Sequence, residues 1–68
     1  MISATEERLI ETMVDLGAAD DMIHLVCSAL TEEKQYEAIN LLEKHYQKHG
    51  IVTEEDMLKA LLLLTRPE

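Results

Sequence analysis

An all-α fold, a compact four-helix bundle, is predicted by three observations. Apolar residues recur at helical spacing, and no stretch alternates with the period of two that marks a strand. The only strong breakers are Gly17, Gly50 and Pro67. The apolar content is aliphatic, with eleven leucines, five isoleucines, no Phe or Trp, and only Tyr36 and Tyr46 as aromatics. The expected helices run roughly 4–16, 20–30, 32–49 and 54–65, within one domain spanning 1–68. The 68 residues leave no room for a second core, and a chain this short buries only about 60% of its unfolded surface.

Ser3-Ala4-Thr5-Glu6 supplies a capping box for the first helix, with Thr5 as a competing cap. Leu9, Ile10, Met13, Val14 and Leu16 gather on one face, and Arg8, Glu11, Thr12 and Asp15 lie opposite. Gly17 supplies the left-handed residue that commonly ends a helix. The apolar face is expected to pack on the C-terminal helix.

Asp20 or Asp21 starts the second helix, in which Asp21, His24 and Ser28 share a narrow polar side. Heavy burial is therefore expected. No Gly or Pro separates this helix from the third, so one helix from Asp20 to His49, serving two chains, is the alternative. The hydrophobic phase opposes it. Met22, Val26, Ala29 and Leu30 centre near ~40°, whereas Ala38, Ile39, Leu42 and Tyr46 centre near ~220°. A break at Thr31 removes the conflict, and Thr31-Glu32-Glu33 repeats the pattern of Thr5-Glu6-Glu7 and Thr53-Glu54-Glu55. These three triplets are expected to be helix starts.

The third helix is the longest and most polar. Glu32 and Glu33 open it and Lys44, His45, Lys48 and His49 close it, in the order the helix dipole favours. Gly50 ends it, with Ile51 placed for the accompanying hydrophobic contact. Tyr36 and Leu41 fall off the main stripe and are interface candidates; a phenol tolerates partial exposure.

The last helix opens on Thr53 with Asp56 as a short-armed capping-box partner, and Val52 with Met57 as a hydrophobic staple. Met57, Leu58, Ala60, Leu61, Leu62, Leu63 and Leu64 then cover roughly 260° of its circumference, against the ~100° that a surface helix needs. Such a helix is either central to its own bundle or shared with another chain, so it is expected to be the most buried of the four. Pro67 forbids much continuation.

The net charge of −8 is unevenly placed. Residues 1–33 carry eight acids (Glu6, Glu7, Glu11, Asp15, Asp20, Asp21, Glu32 and Glu33) against Arg8 alone, which gives −7. Phosphate repels such a chain, so direct nucleic-acid binding is disfavoured. The acids either solvate the chain or form a surface complementary to a basic partner. The lone Cys27 excludes an internal disulfide. No basic start precedes an apolar segment, and the leucine run is too short to span a bilayer and is interrupted by Lys59, so a cytoplasmic protein without membrane association is expected.

His24 with Cys27 and His45 with His49 have the spacing of four zinc ligands, but ligands within helices, without a Cys pair in a tight turn, make a weak pattern. Helix-end histidines and a small core thiol are the simpler reading. No phosphate loop, nucleophile elbow or calcium loop is present, so no enzymatic activity and no cofactor are expected. Ser3 and Ser28 lack the Asp-Ser-Leu context of the attachment serine in acyl-carrier proteins. What remains is a small interaction or regulatory module that binds another protein and self-associates through Leu58, Leu62 and Leu63. An acidic inhibitor or nucleic-acid mimic, seated on a partner's basic surface, is the alternative. A metal-dependent helical module is the third.

Overall fold

The computed structural model describes residues 2–66 and contains four helices: α1 (Ala4–Asp15), α2 (Asp20–Ala29), α3 (Glu32–His49) and α4 (Glu54–Thr65). All-α architecture follows, with boundaries within one residue of those the sequence predicts. The stop expected at Pro67 lies outside the described residues.

Local chemistry sets the ends. Ser3 Oγ accepts from the Glu6 N–H at 3.1 Å, so Ser3 and not Thr5 caps α1. The reciprocal half of that capping box is not made. Glu6 instead turns its carboxylate to the Gln35 amide of α3, at 3.1 Å. Thr31 and Thr53 do cap α3 and α4, so two of the three Thr-Glu-Glu triplets open helices and the third lies inside α1. At Gly17 (φ 84°) the Ala18 N–H reaches the Met13 carbonyl and the Gly17 N–H the Val14 carbonyl, which closes α1 with a paired C-terminal motif. Gly50 (φ 76°) ends α3 with a single bond from its N–H to the Tyr46 carbonyl. Asp20 is the first residue of α2, as expected, but neither it nor Asp21 supplies the cap. Ala19 stands at the N-cap, without a side-chain cap, and donates its N–H to Glu54 Oε2 of α4 at 3.3 Å.

The helices alternate in direction. The Gln35 contact brings the α1 and α3 N-termini together with the α2 C-terminus, whereas Glu54 meets Ala19 at the opposite end. Around the bundle the order is α1–α3–α4–α2. This corrects the expected pairing of α1 with the C-terminal helix: α1 packs on α3 and α2, and α4 lies diagonally across. Helices 2 and 3 are separate, with extended backbone at Leu30 and Thr31 between them.

The core also differs from expectation. Leu9 and Met13 of α1, Ile23, Val26 and Cys27 of α2, Ala38, Ile39 and Leu42 of α3, and Met57 and Leu61 of α4 are buried, together with Leu30 and Val52. The spine is α3, the most polar helix, because its 18 residues span the bundle and its narrow stripe meets α1 on one side and α4 on the other. The apolar C-terminal helix is peripheral and not the most buried. It leans chiefly on α3 and α2, and two neighbours cannot cover an arc of roughly 260°. The second helix is likewise only partly covered, since Leu25 and Ala29 reach the surface. Val14 and Tyr46, expected on inward stripes, are exposed, as is Ile51 after Gly50. Val52 goes inside instead, where it completes the staple with Met57.

Candidate functional site

Among several exposed apolar side chains, three leucines cluster on the outer side of α4. Its capped start fixes the helix. The Thr53 hydroxyl accepts from the Asp56 N–H at 3.1 Å, while Asp56 Oδ2 accepts from both the Thr53 N–H and its hydroxyl at 2.9 Å. The same oxygen lies 3.3 Å from His45 Nε2 on α3. Bonds from the Thr53 backbone and hydroxyl, with His45 and Lys59 nearby, hold the Asp56 carboxyl below its ordinary value. With Met57 and Leu61 turned into the core, helical geometry turns Lys59, Leu62, Leu63 and Arg66 outward and Leu58 to the flank.

Leu58, Leu62 and Leu63 are exposed by 39%, 67% and 52%, far more than a core-facing leucine shows. Leu63 meets Leu41 along the α3/α4 seam, where the two residues line a shallow groove of about 200 Å³ with His45, Asp56, Lys59 and Ala60. They also line its continuation with Glu37, Asn40, Lys44 and Leu64. Leu41 is half-buried there, and Tyr36 is exposed one helical turn and a half before it. The structure thus brings Leu41 and Leu63 together at the seam, leaves Leu62 on the outer face of α4 and Leu58 on the flank away from α3, and sets Tyr36 about 140° round α3 from Leu41.

The eight N-terminal acids form two groups and not one row. Glu6, Glu7, Glu32 and Glu33 belong to the end where α1 and α3 begin; Asp15, Asp20 and Asp21 belong to the other end, with Glu11 between. Glu6 is half-buried and the other seven are exposed. Six of the eight occupy first turns of helices, where the dipole favours a negative charge.

The four metal-ligand candidates do not converge. His24 and Cys27 border a groove between α1 and α2, whereas His45 faces Asp56 on α4 with the His49 ring tilted against it, 4.4 Å between centroids. Among the described residues no three His, Cys, Asp or Glu side chains come close enough together to hold a metal ion. Burial, and then the Glu6 carboxylate, push the Cys27 thiol above its ordinary value, which disfavours the reactive thiolate.

Sequence reasoning missed Gln35. Only 3% exposed, its Nε2 donates to the Cys27 carbonyl at 3.0 Å and to Glu6 Oε1, tying three helices at one buried point. The signal was available: Gln35 precedes Ala38, Ile39 and Leu42 at spacings of three, four and seven on the inward stripe of α3. The His45–Asp56 approach had no such signal, because it joins residues of two helices whose rotation is set by packing.

No family model matches the chain, and no curated protein or solved structure matches it at a significant level. None of the described helices is long and apolar enough to cross a membrane.

Proposed function

We propose that this chain is a protein–protein interaction or regulatory module that self-associates through the leucine face of α4. The observation that carries the reading is the exposure of Leu58, Leu62 and Leu63 on a helix that has already turned Met57 and Leu61 inward. Their exposed fractions amount to about one and a half leucine side chains, whose burial is worth roughly 2–5 kcal/mol per protomer and twice that in a symmetric pair. Association costs at least about 4 kcal/mol of lost freedom, so these leucines by themselves support a weak dimer. A stable interface takes ~800 Å² per partner, about one sixth of the 4882 Å² surface of this chain, and therefore extends beyond these three leucines to Leu41 on the α3 side.

Sedimentation equilibrium tests this between about 10 µM and 1 mM, since a net gain of at most about 6 kcal/mol corresponds to a dissociation constant of about 40 µM or weaker. The wild-type chain is expected to shift toward dimer across that range, and Leu62→Glu to remain monomeric with an unchanged helical spectrum. A wild-type chain that stays monomeric at the upper concentration overturns the reading.

A second reading, an acidic inhibitor that occupies a basic surface of a partner protein, draws support from one observation. Among the described residues, none of the eight N-terminal acids is engaged in an ion pair. It stands second because the helix dipoles already account for six of them and the acids divide between two ends of the bundle. Binding that weakens steeply with salt would favour it, and a salt-insensitive complex would count against it.

A further inference from the structure

Resting on the self-association just proposed, we infer that the occupant of the α4 face is the α4 of a second copy, docked antiparallel about a two-fold axis. In this arrangement Leu58 lies opposite Leu62 of the second copy, and Glu55 lies opposite its Arg66.

Four residues carry the inference. Glu55, Leu58, Leu62 and Arg66 follow one another at spacings of three, four and four, so they form one stripe within an arc of about 80°. All four are exposed. The stripe reads acid, leucine, leucine, base. A two-fold interface must be self-complementary, each residue meeting its counterpart reciprocally. Reversed against itself, this stripe sets leucine on leucine and carboxylate on guanidinium. The midpoint of Leu58 and Leu62 falls at Ala60, and that of Glu55 and Arg66 falls between Ala60 and Leu61. The two midpoints lie within half a residue, about 0.75 Å along the helix, so one axis brings both pairs within side-chain reach. A parallel arrangement would instead set Glu55 on Glu55 and Arg66 on Arg66, which is repulsive.

The existing contact between Glu55 and Lys59, 3.7 Å across one helical turn, does not oppose this docking. Both side chains are more than two-thirds exposed, and such surface pairs exchange partners at little cost. Leu63 and Leu41, on the α3 side of the helix, become the rim of the interface and not its centre.

Charge reversal with sedimentation as the readout tests the arrangement in the full chain at low salt. Glu55→Arg and Arg66→Glu are each expected to weaken the dimer roughly tenfold, because two attractive pairs per dimer turn repulsive. The double variant Glu55→Arg/Arg66→Glu, which exchanges the two charges, is expected to restore the wild-type dissociation constant. Far-UV circular dichroism on each variant separates loss of pairing from loss of helix. Single reversals without effect, or a double variant as weak as the singles, overturn antiparallel docking while leaving self-association standing. A dimer abolished by Leu41→Ser but indifferent to Leu58→Ser moves the contact to the α3/α4 groove and overturns it as well. A monomeric wild type removes this inference together with the reading beneath it.

Discussion

Truncating Gln35 to alanine is the perturbation with the most definite expected cost. The side chain is buried and its amide nitrogen donates twice, to the Cys27 carbonyl and to the Glu6 carboxylate. The first bond satisfies a carbonyl in the last turn of α2, which lacks an intrahelical partner, and is worth about 1 kcal/mol net. The second has a charged acceptor and would reach about 1.5–3 kcal/mol, with the lower end applying because Glu6 is half-buried. Gln35→Ala also leaves a void at the junction of three helices. The expected loss is on the order of 2–4 kcal/mol, a large part of the roughly 3–10 kcal/mol that a chain of this size can have. That corresponds to a fall in melting temperature of on the order of 10–25 °C. Urea unfolding with an unchanged slope is the assay. A loss below about 0.5 kcal/mol would refute the argument, because it would mean that the buried amide contributes no more than an ordinary surface residue. Gln35→Glu sharpens the test. It keeps the shape but replaces the donor with a carboxylate facing another carboxylate, so the new group should ionise only at raised pH in the folded state. Stability would then be retained at acid pH and lost as pH rises through the raised value.

The α4 cap offers a pH prediction of the opposite sign. The folded Asp56 carboxyl titrates below its ordinary value, so its contribution is present above the unfolded value of about 3.9 and is lost as pH falls through the depressed one. Asp56→Asn should flatten the acid limb of a stability–pH curve measured by circular dichroism, and an unchanged limb would remove Asp56 as its cause. Thr53→Ala, which deletes the hydroxyl from the same cap, should cost about 1 kcal/mol in urea unfolding. Gly50→Ala should cost about 1–2 kcal/mol from backbone conformation alone, since φ is 76° and a new Cβ meets nothing within 4 Å. A neutral result there would mean that the turn relaxes away from the left-handed region.

What the sequence determined by itself is the part governed by near neighbours. Thr53 with Asp56, Thr31 with the phase reversal after Leu30, and the glycines at 17 and 50 act within a few residues, and each helix start or stop they imply is present. The excess of leucine on the last helix was likewise visible from spacing alone, and three of those leucines are exposed. The tertiary structure decided which helix is central. Apolar content suggested α4, but each helix has two main neighbours, and α3, whose 18 residues make the most extensive contacts with its two, takes that place with a narrower stripe. Gln35 inside and Val14, Leu25 and Tyr46 outside follow from that choice, because a residue's angle on its helix sets its depth only once the neighbouring helices are in position. The meeting of His45 with Asp56, and of Leu41 with Leu63, has the same origin: each joins two helices through a relative rotation that no local spacing encodes.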